Sequence, residues 1–234
     1  MHITTLGFLA FVLACLLVYY LLPKRIRHLG LLAASALFIF CASPFGYVFI
    51  LLSSVSIYLT GKRLEALKDK KQPEKKRQAL FAVLTINLGV LVLLKFVPEA
   101  LSIADQALGM ALSGVRAPIA RYLLPIGLSY YTLQAISYVM DVYWERIPAE
   151  SSFLKLLLYV SYFPQLVQGP ISRYGQLSDE LFSPKRFDAK NIKHGAQLML
   201  WGYFKKLAIA DNVAPYVSTI FYGEIEAQIG RAHV

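Results

Sequence analysis

Two long stretches without a single Asp, Glu, Lys or Arg open the chain, Ile3 to Leu22 and Leu29 to Thr60, and they limit its folding more than any other feature. A third, Gln78 to Val97, holds only Lys95, near its end. Runs of about 20 apolar residues are the length a helix needs to cross the hydrocarbon of a bilayer. The composition agrees: 57% of the 234 residues are hydrophobic and 16% charged, against about 45–50% and 25% in soluble domains. The chain is therefore read as an all-α polytopic membrane protein.

The cations lie between the runs. Lys24, Arg25, Arg27 and His28 follow the first, and Lys62, Arg63, Lys68, Lys70, Lys71, Lys75, Lys76 and Arg77 separate the second from the third. Formal net charge is +10, but cations confined to connections mark cytoplasmic loops, not a nucleic-acid surface. No nucleic-acid partner is expected; membrane lipids are. The pattern puts Met1 outside the cytoplasm and the basic connection 61–77 inside. Leu29 to Thr60 is long for one helix, and Ser43-Pro44-Phe45-Gly46 splits it into two short spans. The mixed stretch from Pro98 to Arg121 reads as interfacial or partly helical. Cys15 and Cys41 sit inside apolar runs and read as packing residues, with no metal-ligand spacing.

From Tyr122 the pattern changes to apolar segments carrying polar side chains and helix breakers. The most informative is Leu124-Pro-Ile-Gly-Leu-Ser-Tyr-Tyr-Thr-Leu-Gln-Ala-Ile-Ser-Tyr-Val-Met-Asp-Val-Tyr-Trp144. If helical after Gly127, it sets Tyr130, Gln134, Ser137, Tyr138 and Asp141 on one face. A carboxylate at membrane depth costs about 2.5–3.5 kcal/mol, so Asp141 faces protein or an interface. Spacing leaves both a lined cavity and a membrane boundary open. The second segment, Tyr159-Val-Ser-Tyr-Phe-Pro-Gln-Leu-Val-Gln-Gly-Pro-Ile-Ser-Arg-Tyr174, frames a piece too short to span, containing Gln165 and Gln168 and suggesting a re-entrant element. Arg173 suits either a partner such as Asp141, a bound phosphate or carboxylate, or a snorkelling interfacial position. Arg173 to Lys193 reads as extramembrane, and a last apolar segment, about Ala196 to Val217, carries Lys205, Lys206 and Asp211.

These residues resemble a known family. The Leu124 to Tyr143 segment, the Phe163-Pro164-Gln165 and Gly169-Pro-Ile-Ser-Arg-Tyr174 pair, and Trp201-Gly-Tyr-Phe-Lys-Lys206 with Ala210-Asp-Asn212 look like three ordered signatures of the membrane-bound O-acyltransferases, nearest the alginate O-acetyltransferase membrane subunits. The resemblance implies, in the plasma (inner) membrane of a bacterium, a ring of short, tilted and broken transmembrane helices around a tunnel, incomplete in this chain. It implies transfer of an acyl group, acetyl in the nearest group, from a thioester donor (acyl-CoA or acyl-carrier protein) on the cytoplasmic side. The acceptor would be a hydroxyl of a cell-envelope or extracellular polysaccharide such as alginate, with periplasmic or extracellular acyltransferase partners completing the process. Tyr130, Gln134, Tyr138, Asp141, Gln165, Arg173, Lys206 and Asp211 would line or brace the tunnel. No tightly bound cofactor or metal is implied.

In that family a histidine in a later apolar helix acts as base, a role suited to deprotonating a sugar hydroxyl as it attacks. The four histidines here are His2, His28, His194 and His233, and none lies in such a helix. No catalytic residue is therefore assigned in this chain. Ile229-Gly-Arg-Ala-His-Val234 is what a common sequencing adapter encodes in one frame. Residues 1–227 are accordingly read as the amino-terminal part of one membrane domain, 228–234 as a non-native tail, and the chain alone as inactive. Two competing classes use similar broken, polar helices: a transporter or flippase, and a noncatalytic scaffold of an envelope polysaccharide complex.

Overall fold

The computed structural model describes residues 5–69, 72–108, 127–183 and 186–219. The start of the first signature, Leu124 to Ile126, the second half of the mixed stretch, His2, His233 and the 228–234 tail lie outside the described residues. Regular structure among the described residues is entirely helical. The chain divides into two units, 1–184 and 185–234.

The first unit begins with α1 (Leu6–Leu21) and α2 (Arg27–Ala42). Thr5 caps α1, its hydroxyl accepting the Phe8 N–H at 3.4 Å. The split expected at Ser43-Pro44 is present. Ser43 Oγ accepts the Gly46 N–H at 3.2 Å, and Pro44 opens α3 (Pro44–Asp69), a position where its missing N–H costs nothing. Two lengths differ from the sequence reading. α3 does not stop at Thr60 but carries Lys62, Arg63 and Lys68 on a continuous helix of 26 residues, about 39 Å. α4 (Pro73–Leu108) takes in the third apolar run and continues through Pro98 into the stretch read as mixed. Charged residues still form good helices, so hydropathy marks where a span ends but not where its helix does. Conversely, α1 and α2 have 16 residues each, about 24 Å, less than the roughly 30 Å of hydrocarbon.

Two helices, Phe45–Lys68 and Pro73–Pro98, are long and apolar enough to span a membrane, yet only 33% and 17% of their apolar windows are buried within the protein. A core helix of a soluble protein would be mostly covered; these present Leu52, Leu59, Ile86, Leu93 and Phe96 outward. Such faces match a lipid surround, consistent with a membrane protein.

α3 packs against α2, α4 and the two helices that follow the undescribed stretch, α5 (Leu128–Tyr143) and α6 (Phe153–Ser161). Its buried stripe runs Ile50, Ser54, Ile57, Gly61 and Leu64, the spacing of one helical face. Alongside it, Asn87 of α4 ties to α3. Ser53 Oγ donates to Asn87 Oδ1 at 2.6 Å, and Asn87 Nδ2 donates to Ser56 Oγ at 3.1 Å and to the Val83 carbonyl at 2.9 Å. Hydrogen-bonded polar pairs of this kind hold apolar helices together where burial against lipid gives little drive.

The framed piece of the second signature is α7 (Phe163–Gln168), and α8 (Tyr174–Phe182) follows it. Ser35 Oγ of α2 accepts the Phe163 N–H at 3.3 Å. Around that point Phe11, Phe38 and Phe163 form a cluster with centroids 5.2–5.7 Å apart. Gly127, before α5, has φ +74, and a Cβ there would lie 2.7 Å from the Leu166 carbonyl oxygen. Only glycine tolerates both conditions.

The second unit is α9 (Ala189–Phe204), a π-helical stretch Lys205–Ala210, and further helix over 211–219. Asp188 caps α9, its carboxylate accepting the Lys190 N–H at 2.9 Å.

Candidate functional site

A helix buried in an apolar bundle has its own backbone satisfied, so any buried side-chain amide or carboxyl must find a partner elsewhere. On α5 the buried stripe runs through Leu128, Tyr131, Ala135, Tyr138 and Val142, with Gln134 and Asp141 on its flank at 3% and 5% exposure. Tyr130 keeps the helical face expected of it, about 20° round the helix from Asp141, but on its open side. It lies a step of about 100° from Tyr131, which takes the buried position, and stands 39% exposed.

Gln134 and Gln165 come together. Gln134 Nε2 donates to Gln165 Oε1 at 2.8 Å and to the Tyr159 carbonyl at 2.9 Å, and Gln165 Nε2 donates to Ser172 Oγ at 2.8 Å. Tyr159, completely buried, donates its hydroxyl to the Ser172 carbonyl at 2.9 Å. One polar chain thus crosses α5, α6, α7 and the turn before α8. Breaking it at one member strands buried groups on the others.

A second polar group lies nearer the end of α5. Tyr138 is fully buried, and its hydroxyl accepts the Glu150 N–H at 2.9 Å. Glu150 receives a very short hydrogen bond from the Tyr174 hydroxyl and the Ser152 N–H at 2.8 Å. The rings of Tyr138 and Tyr159 meet Tyr174 edge-on at 5.2 and 5.0 Å. Burial pushes the Glu150 carboxyl upward, but the Tyr174 and Ser152 donors and Lys155 outweigh it and hold the acid below its ordinary value. The Tyr174 phenol is pushed up, first by burial and then by the carboxylate it donates to. Gly61 lets Tyr138 in: a Cβ there would sit 3.2 Å from the phenolic oxygen. Glu150 was not singled out from the sequence, since one acid in a connecting segment has no spacing that marks it.

Asp141 pairs with Arg146 at 3.2 Å rather than with Arg173, which is exposed at the start of α8. Close by, Glu145, with φ +59, binds Lys68 at 3.2 Å and Lys76 at 2.8 Å. Lys76 and then Lys68 draw its carboxyl below the ordinary range. Asp141 therefore lies at the end of the bundle that carries the basic connection, next to a cavity of about 230 Å³ lined by Lys68, Lys76, Glu145 and Arg146 among others. Asp141 itself does not line this cavity; its neighbour Val142 does.

Gly61 faces Tyr138, and Lys68 pairs with Glu145, so α3 and α5 run side by side in the same direction. The same register sets Ser54 level with Tyr131, seven residues earlier on each helix. The hydroxyls of these two buried residues have no hydrogen-bond partner among the described residues. Each such group costs about 1–3 kcal/mol, so a polar ligand atom reaching this level is favoured.

Lys206 and Asp211, the candidates in the second unit, pair with each other at 2.5 Å. Asn212 Nδ2 reaches the Leu207 and Ala208 carbonyls at 3.2 and 3.0 Å. The π-helical stretch explains the Lys206–Asp211 and Asn212–Leu207 partners, since its longer turn brings residues five apart onto one face. His194 on α9 is exposed, and His28 packs its ring on Phe182 at 6.3 Å; among the described residues neither is a buried base. No group of metal-ligating side chains occurs among the described residues.

An all-helical chain with span-length, outward-facing apolar helices and a buried polar chain between broken ones has the character of a helical membrane protein. More particularly, it is homologous to bacterial O-acetylases. It is 30% identical over 206 residues to the probable alginate O-acetylase AlgI of Azotobacter vinelandii, covering 87% of this chain and 40% of that protein. It is 31% identical over 199 residues to the protein of the same name from Pseudomonas putida, covering 84% and 40%. A peptidoglycan O-acetyltransferase of Helicobacter pylori is 33% identical over 121 residues, covering 40% of this chain and 23% of its own length. The chain thus spans about two fifths of the length of these alginate relatives. No protein-family model and no solved structure matches it. The relatives agree with the resemblance to membrane-bound O-acyltransferases.

Proposed function

We propose that this chain serves in a membrane-bound O-acyltransferase that transfers an acetyl group to hydroxyls of a cell-envelope or extracellular polysaccharide such as alginate. The observation that carries the reading is the similarity to alginate O-acetylases across 87% of the chain. The Gln134–Gln165–Ser172 chain supports it, because it fixes amide groups inside an apolar bundle where a developing oxyanion or a sugar hydroxyl needs them. In the reaction the hydroxyl oxygen attacks the thioester carbonyl carbon. The C–O bond forms, the C–S bond breaks, and the thiol leaves as a base takes the hydroxyl proton. That base is the histidine implied by the family resemblance, a role given to none of the four histidines of this chain.

The basic end, with Lys68, Lys76 and Arg146, faces the cytoplasm in this reading and meets the acyl-CoA or acyl-carrier donor there. The acceptor and the partner acyltransferases lie on the other side of the plasma membrane. Membrane vesicles containing the protein encoded by the whole gene, given radiolabelled acetyl thioester and alginate, test this. Base-labile label on the polysaccharide is expected. Uptake of unmodified glycan with no ester formed would replace the reading with a transporter.

A further inference from the structure

At the end of α1, two observations coincide outside the polar site. A cavity of about 330 Å³ lies between α1, α2, α7 and α8, in the size range of small-molecule sites. Its walls are chiefly apolar, with aliphatic Val12, Leu16, Leu31, Leu177 and Leu181 beside the rings of Tyr19, Tyr20 and Tyr162. Tyrosines beside aliphatic walls are typical of the depth where hydrocarbon meets headgroups.

The rim is cationic. The Arg27 guanidinium lies over the lining rings of Tyr19 and Tyr20, 5.0 and 5.6 Å from their centroids. Lys24 and Arg25 are exposed in the turn just before it. From the opposite wall, Lys155 sits 5.2 Å over the ring of Phe182, next to the lining Leu181. These four cations flank the cavity without lining it; among the described residues its one lining acid is Glu180, with Asp179 next to it in the chain.

We propose that this cavity binds one anionic phospholipid, with an acyl chain between α1 and α7 and its phosphate among Lys24, Arg25, Arg27 and Lys155. An aliphatic cleft alone takes any lipid chain; the charge at its mouth selects the headgroup. Each Lys or Arg near a membrane surface favours an anionic lipid by about fivefold. The site is separate from the Gln134–Gln165 chain, and the proposal does not depend on acyl transfer.

The test is native mass spectrometry of the full chain, delipidated and then offered equal phosphatidylglycerol and phosphatidylcholine. One retained lipid is expected, with phosphatidylglycerol preferred at least about fivefold. A Lys24→Gln, Arg25→Gln, Lys155→Gln variant should keep a lipid but lose the preference. Leu16→Trp, which fills the cleft, should lose the lipid; circular dichroism checks that both variants are folded. Equal retention of the two lipids by the unaltered chain, or an unchanged preference in the charge variant, would overturn the proposal. So would undiminished lipid retention by folded Leu16→Trp.

Discussion

On α4, Leu93 and Phe96 stand 61% and 58% exposed, while on α5 Gln134 and Asp141 are 3% and 5% exposed. In water that arrangement is inverted, with oil outside and amide and acid inside. In a bilayer both halves are favourable. The apolar faces of α3 and α4 need no protein partner because lipid covers them. The polar groups of α5 need protein partners because lipid offers none. The polar groups are also concentrated where the helices are short and broken, at α5 to α8. The contrast separates a scaffold, in which almost any apolar side chain suffices, from a site in which particular atoms must meet.

Gly61→Leu should have the largest effect. The added side chain must enter space held by Tyr138 and Ala149, and overpacking of this kind costs about 1–3 kcal/mol or more. Thermal unfolding in detergent should show a marked loss; a stability equal to the parent would mean that α3 and α5 are not in close contact. Asn87→Ala is next, since it removes the acceptor of the buried Ser53 hydroxyl and a donor to Ser56 between α3 and α4, at about 0.6–1.7 kcal/mol. The Glu150 carboxyl supplies a smaller, pH-dependent effect. Its folded pKa is depressed, so its contribution is present above the ordinary value of about 4.3 and lost as pH falls through the lower folded value. Hydrogen-exchange protection of the Ser152 amide should fall in that acid window and be flat above it. Leu93→Ala should be nearly silent, within about 0.5 kcal/mol, because lipid fills the space. A large loss there would make α4 a buried core helix and collapse the contrast.

Much of the scaffold was legible in the sequence, because charge-free length and a Ser-Pro break act locally. The framing of α7 by Phe163-Pro164 and Gly169-Pro170 was visible for the same reason. What escaped depends on pairs distant in the chain. Asn87 is one amide in an apolar run, and nothing in its neighbourhood names Ser53. The choice of Arg146 over Arg173 for Asp141 follows from the tight turn after α5, where the Arg146 N–H returns to the Asp141 carbonyl at 2.9 Å. Tyr130 shares the helical face of Gln134 and Asp141 yet stands 39% exposed, while Tyr131 beside it is buried, a difference that residue spacing does not give. The pairing of Lys206 with Asp211 needed the π-helical turn, which residue spacing on an ordinary helix does not foresee.

Gln134 joins the two halves of the account, since it is both the buried polar residue and the link to Gln165. Gln134→Leu in the protein encoded by the whole gene, assayed for labelled acetyl transfer to polysaccharide with membrane levels checked by immunoblot, is the most direct test. A loss of at least about tenfold at normal abundance is expected, the consequence of roughly 1.4 kcal/mol or more of lost polar stabilisation. Undiminished transfer by a normally inserted variant would contradict the assignment of this buried chain as the functional site.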